Sequence, residues 1–130
     1  MVSGIDPAAV GAIGVLDPEG CRTVATRAAG LIDVDALERD SEGAAVMLWR
    51  TDGSEAWLNT WWQPRDSGFH DHGGSCGGVC VLAGEVTGEY LQVEGGRRVS
   101  RFGAGEAFSF DADRIHRVDH LEGAVTVHVY

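Results

Sequence analysis

At 130 residues and 13.8 kDa the chain accommodates one domain and would cramp two. Ten basic residues against twenty acidic ones leave a net charge of −10, which argues against a nucleic-acid or polyphosphate partner. All ten basic residues are arginine, so without lysine neither Schiff-base chemistry nor a P-loop is available. Glycine supplies 19 residues, roughly twice the usual share, and reads as punctuation between many short strands.

The first stretch, 1–43, is Ala- and Asp-rich. Asp6-Pro7-Ala8 looks like a cap followed by proline in a first helical turn, and 33–39 is a second short helix candidate. Met1 to Pro7 show neither a basic n-region nor a continuous apolar run, and no segment reaches the roughly 18–20 apolar residues of a membrane span. The three cysteines, Cys21, Cys76 and Cys80, form no zinc-like pair. A reducing cytoplasm is therefore the expectation. The segment 1–43 cannot bury a core alone and is expected to pack as a helical piece on a barrel formed by 44–130, one domain overall.

From 44 onward β-forming residues dominate. Strands are expected over 46–49, 55–62, 69–72, 78–82, 85–92, 97–102, 106–110, 115–118 and 124–130. Turn signals separate most of them: Thr51-Asp52-Gly53-Ser54, the stretch 63–68, Ala83-Gly84, Glu94-Gly95-Gly96, Gly103-Ala104-Gly105 and Glu122-Gly123. So many short strands in so short a span imply an all-β sandwich or small barrel. Within it, Cys80 in an apolar run reads as a buried small hydrophobe. Trp57, Trp61 and Trp62 read mainly as packing, and Arg97, Arg98 and Arg101 as a solvated hairpin.

All five histidines fall in this half, at 70, 72, 116, 120 and 128. His70 and His72, two apart on a strand, project from one face and could share a cation, although two surface histidines beside a glycine loop fit the pair equally. In the closing strand Thr126, His128 and Tyr130 alternate with Val125, Val127 and Val129. One face is wholly apolar. The other carries hydroxyl, imidazole and phenol in line, either as the wet face of an edge strand or as a hydrogen-bonded relay.

The spacing of these residues resembles the two motifs of the cupins. His70-x-His72 is followed after four residues by Gly77 and after six more by Gly84, and downstream Gly105 precedes Asp111, Asp113 and His116. The resemblance covers about 55–130 and implies a double-stranded β-helix (jelly-roll) barrel with a short helical N-terminal segment. It also implies that His70, His72 and His116 converge on one metal. Two departures stand out: Gly77 occupies the slot of the cupin glutamate, and Asp111-Ala112-Asp113 replaces a Pro-x-Gly turn. His120, in the slot of an asparagine, reads as a neighbouring rather than a ligating residue.

A histidine triad without the glutamate, together with His70-Asp71-His72-Gly73-Gly74-Ser75 and Thr126-x-His128-x-Tyr130, is similar to the cysteine dioxygenase (thiol dioxygenase) branch. That resemblance implies Fe(II) as cofactor, a small thiol such as L-cysteine and O2 as substrates, and a sulfinic acid as product. It implies that Tyr130 stands near the bound oxygen, held by His128, which Thr126 orients. An arginine would grip a substrate carboxylate; Arg50 is the candidate and Arg65 the reserve. Animal members place a tyrosine-crosslinked cysteine in the slot Gly77 fills, so no crosslink is expected here, and Cys76, one residue away, is expected near the pocket mouth. The competing expectations are a cupin metalloenzyme, oxygenase or lyase, acting on a different small molecule, and a non-catalytic small-molecule-binding cupin. No membrane partner is expected, and the oligomeric state is left open.

Overall fold

The computed structural model describes residues 4–37, 44–61, 65–66, 75–91, 97–111, 116–120 and 123–130. The expected strand over 69–72 lies outside them.

The expected N-terminal turn forms as a 3-10 helix over Pro7–Val10, with the Asp6 carboxylate accepting from the Ala8 amide at 3.0 Å. The second candidate, 33–39, contracts to a single 3-10 turn, Val34–Ala36, capped by Asp33. The longest helix was not expected from the sequence. It is α1, Pro18–Ala29, and it starts on the same signal as the first turn: Asp17 accepts from Gly20 N at 2.7 Å and Pro18 sits in the first turn. With Gly20, two threonines and β-branched Val24 it is a weak helix by propensity, and twelve residues are marginal alone. Packing holds it. Cys21, Val24, Ala25 and Ala28 are buried against the barrel.

Nine strands follow among the described residues. They are β1 (Ala44–Arg50), β2 (Glu55–Trp61), β3 (Arg65–Asp66), β4 (Gly77–Ala83), β5 (Glu85–Leu91), β6 (Arg97–Gly103), β7 (Ala107–Phe110), β8 (His116–His120) and β9 (Ala124–Val129). The two-residue β3 falls inside the stretch 63–68 read as a turn. The strands form two antiparallel sheets, β1-β2-β9-β4-β7 and β3-β8-β5-β6. The five-stranded sheet is covered on one side by α1, which lies along β4, β9 and β7, and on the other by the second sheet.

The period of two sorts side chains between these layers. Val125, Val127 and Val129 join Leu48, Trp49, Ala56, Leu58 and Cys80 beneath α1. Val79, Val81, Phe108, Phe110 and Ala124 point the other way and meet Val86 of the second sheet, with Phe102 stacked on Phe108 at 4.3 Å between ring centroids. Cys80 is buried, as expected for a small hydrophobe, and burial raises its thiol pKa.

Two adjacent glycines set the spacing of these layers. A Cβ on Gly78 would run into the backbone of Cys21 and Arg22, so the helix lies directly on the strand there. A Cβ on Gly77 would run into the ring of Phe110 on the opposite face. We expect Gly78→Ala to destabilise the fold by about 1–3 kcal/mol, because backbone rather than a flexible side chain must move. The midpoint of chemical unfolding measures this, and an unchanged midpoint would show that α1 is not seated on β4.

Candidate functional site

The register of the five-stranded sheet brings distant residues into cross-strand rows. Arg50 pairs with Glu55 across β1 and β2, and Glu55 exchanges both backbone hydrogen bonds with Tyr130, at 3.0 and 2.9 Å. Gly78 pairs with Val129 and Gly77 with Phe110, so Arg50, Glu55, Tyr130, Gly77 and Phe110 form one row across the sheet. The next row on that face is Trp57, His128, Val79 and Phe108. Asn59, Thr126 and Val81 form the one after it.

Arg50 reaches this face through an irregularity in β1. The register shifts between Met47 and Trp49, and Leu48 and Trp49 are both buried in the layer beneath α1. Two consecutive side chains on one face are the mark of a bulge. Trp49 is anchored by its indole N–H, which donates to Ser54 Oγ at 3.0 Å. The extra residue puts Arg50, rather than Trp49, opposite Glu55 and on the side of Tyr130. Its Nε donates to Glu55 Oε2 at 3.0 Å, and its side chain is 61 % exposed.

Down β9 the three polar side chains are linked. Thr126 Oγ1 lies 2.9 Å from His128 Nε2, and His128 Nδ1 lies 3.1 Å from the Tyr130 hydroxyl. Thr126 is fully buried and His128 nearly so. A neutral imidazole has one N–H and one lone pair, so the line has two polarities. In one, Thr126 donates to Nε2, Nδ1–H donates to the phenol oxygen, and the phenol keeps its proton to offer elsewhere. In the other the phenol donates inward. Both ring nitrogens of His128 are thus engaged along the strand. Burial, and secondarily the Glu55 carboxylate, push the Tyr130 phenol up to about 12. It is a proton donor, not a phenolate, at any ordinary pH. Its ring packs 6.2 Å from that of Phe110, which fills the space over Gly77.

Tyr130 also lines a cleft of about 400 Å³. Arg50, Ser54, Glu55, Leu16, Ser75 and Cys76 line it too. The structure therefore gathers four residues singled out by the sequence: Thr126, His128 and Tyr130 as a connected line, and Arg50 in the same row as Tyr130 and in the same cleft. Cys76 lines that cleft as well, but its Sγ faces the helix, donating to Leu16 O at 3.2 Å and standing 4.0 Å from Cys21 Sγ. Glu55 is the residue that sequence reasoning passed over. The signal was its position opposite Arg50 across the turn Thr51–Ser54.

Of the candidate metal ligands, His70 and His72 lie outside the described residues. His116 opens β8, paired with Tyr90, while His120 pairs with Val86. Alternation along β8 puts positions 116 and 120 in phase with Val86, whose side chain belongs to the inter-sheet core. The reserve arginine, Arg65, pairs with His120 through the short β3. Among the described residues no group of three or more His, Cys, Asp or Glu side chains is placed to hold a metal, and no helix is long and apolar enough to cross a membrane.

No protein-family model and no curated protein matches the sequence. Solved structures do match the fold. A cupin superfamily protein from Desulfitobacterium hafniense aligns with a TM-score of 0.59 at 15 % identity, covering 78 % of this chain and 84 % of that one. KdgF from a Halomonas species aligns at 0.58 and 19 % identity, covering 75 % and 87 %. Oxalate decarboxylase from Bacillus subtilis, a protein with Mn(II) centres, aligns at 0.52 and 18 % identity over 58 % of this chain, which spans only 20 % of that one.

Two measurements check the polar line. Ultraviolet titration of phenolate should show a late step near pH 12 that disappears in Tyr130→Phe. Because the folded pKa lies above the unfolded value of about 10, the stabilisation is complete below that value and is lost as pH rises toward 12. Thr126→Val, which leaves a buried imidazole nitrogen without its hydroxyl, should cost about 1–3 kcal/mol despite the added methyl. A neutral or stabilised Thr126→Val would mean the hydrogen bond is not formed.

Proposed function

We propose, from the cupin-type β-barrel with its short helical segment and from the residues it gathers, that the chain is a mononuclear non-haem iron thiol dioxygenase that oxidises L-cysteine or a related small thiol with O2 to the sulfinic acid. The observation that carries this reading is the Thr126–His128–Tyr130 line, buried on the inner face of the sheet and ending at a cleft that also holds a guanidinium.

His70, His72 and His116 would hold the ferrous ion. The fit rests on neutral imidazole as a donor suited to iron and on the backbone position of His116, opposite Tyr90 in the β5–β8 ladder. When bound, the ion supplies a cation that favours thiolate over thiol and a place for dioxygen.

The chain's own residues do the rest. His128 is excluded from the ligand set because each ring nitrogen already has a partner. Its role is to fix the phenol. With Thr126 donating to Nε2 and Nδ1–H directed at the phenol oxygen, the Tyr130 proton points away from His128 and can be offered to a substrate atom in the cleft. A phenol held at about 12 keeps that proton. Arg50, whose guanidinium is only partly engaged by Glu55 and is mostly exposed, presents further donors for a substrate carboxylate. Glu55 holds the guanidinium in the row and repels an anion placed too close to itself. Val79, Val81 and Phe108, on the same face, make an apolar surround that keeps bulk water from the line.

Protein loaded anaerobically with ferrous iron and then exposed to O2 is expected to form sulfinate with L-cysteine, 3-mercaptopropionate or cysteamine. Iron-loaded protein inert toward all three overturns the proposal. Arg50→Ala should raise KM about tenfold for the carboxylate-bearing thiols and leave cysteamine unaffected. Thr126→Val and Tyr130→Phe should lower kcat with little change in KM. His116→Ala should lose bound iron, as read by metal analysis.

A further inference from the structure

Residues 76, 78 and 80 alternate toward α1, while 77, 79 and 81 face the second sheet. Two thiols meet in that helix-facing layer. Cys21, in the first turns of α1, is fully buried, and its Sγ stands 4.0 Å from that of Cys76, which lines the cleft. Both backbones are held. α1 rests on β4 so closely that Gly78 admits no Cβ, and Cys76 is further fixed by donating to the Leu16 carbonyl at 3.2 Å. With helix and sheet held, the closure from 4.0 Å to the roughly 2 Å of a disulfide has to come from the two side chains.

We propose that Cys76 and Cys21 form a redox modification site, in which a cleft-lining thiol and a buried partner close into a disulfide when the protein meets hydrogen peroxide. Cys76 is the sulfur a peroxide can reach. Its sulfur attacks one peroxide oxygen, the O–O bond breaks, and water leaves, giving a sulfenic acid. The Cys21 sulfur then forms the S–S bond as the S–O bond breaks; its proton leaves with the hydroxide as a second water. Two thiols lose two electrons and two protons, and one peroxide becomes two waters. Burial and the neighbouring Cys76 push the Cys21 thiol up to about 12, so it is not the first target; it resolves the sulfenic acid because its sulfur is the one standing 4.0 Å away. Cys80, buried beneath the helix and absent from the cleft wall, takes no part.

Closure has a local consequence. The Leu16 carbonyl loses its thiol donor, and Leu16 is itself part of the cleft wall. The site stands whether or not the protein oxidises thiol substrates, since it rests on the two sulfurs alone.

The test treats the full chain with hydrogen peroxide, blocks remaining thiols with N-ethylmaleimide, and measures intact mass. Of three cysteines only one is expected to stay alkylable, in a chain about 2 Da lighter before alkylation, with all three restored by dithiothreitol. Trypsin cuts this lysine-free chain only after arginine, so peptide 1–22 should appear linked to peptide 66–97. Because the latter carries both Cys76 and Cys80, the link should persist in Cys80→Ala and vanish in Cys76→Ser. Three outcomes overturn the proposal: linkage through Cys80, disulfides between chains, or Cys76 driven to sulfinic acid with Cys21 still free.

Discussion

Every residue of β9 is buried, so each polar group it carries has to find a partner inside the protein. The valines meet this condition by joining the apolar layer beneath α1. Thr126, His128 and Tyr130 cannot, and an unpaired buried hydroxyl or imidazole costs on the order of 1–3 kcal/mol apiece. They meet it by bonding to one another at positions i and i+2, which a strand places on one face. A wet edge strand would impose no such demand. The central place of β9, between β2 and β4, turns an alternating pattern into a connected proton line.

The neighbours of β9 follow from the same geometry. Gly77 leaves room for the Phe110 ring, which packs near Tyr130, and Gly78 leaves room for the backbone of α1. One missing side chain on each face of β4 lets an aromatic ring and a helix approach the same strand from opposite sides. In β1 the bulge gives Leu48 and Trp49 to the core and places Arg50 in the row of Tyr130. A regular strand would have sent Trp49 toward Glu55. The cation in the cleft is thus a product of one extra residue in β1, not of any local charge pattern.

The strands were legible because β-branched and aromatic runs between glycine turns leave little choice, and the β9 pattern was legible because its period is strict. The fold class followed from them and agrees with the solved cupins. Helix α1 was not legible: Gly20, two threonines and Val24 lower its propensity, and its buried face of Cys21, Val24, Ala25 and Ala28 makes a weak apolar stripe beyond the Asp17-Pro18 start. The bulge in β1 left no trace in the sequence because both Leu48 and Trp49 are strand formers. The partnership of Cys21 and Cys76 depends on where α1 lands, so it could not precede knowledge of the helix.

The five-stranded sheet acts as a partition. On its inner side the hydrogen-bonded line ends at a phenol whose proton is held tightly; on its outer side two sulfurs stand 4.0 Å apart. The cleft beside Tyr130 is where the two sides meet, since both Tyr130 and Cys76 line it. Cys76 is turned away from the phenol by the one-residue offset from Gly77, which reverses its face. Oxidation of the sulfurs would reach the relay only through the shape of that cleft, by way of Leu16, and not through a change in the hydrogen bonds of Thr126 and His128. The two groups of side chains are neighbours in space yet lie on opposite sides of the sheet, because consecutive residues of a strand cannot share a face.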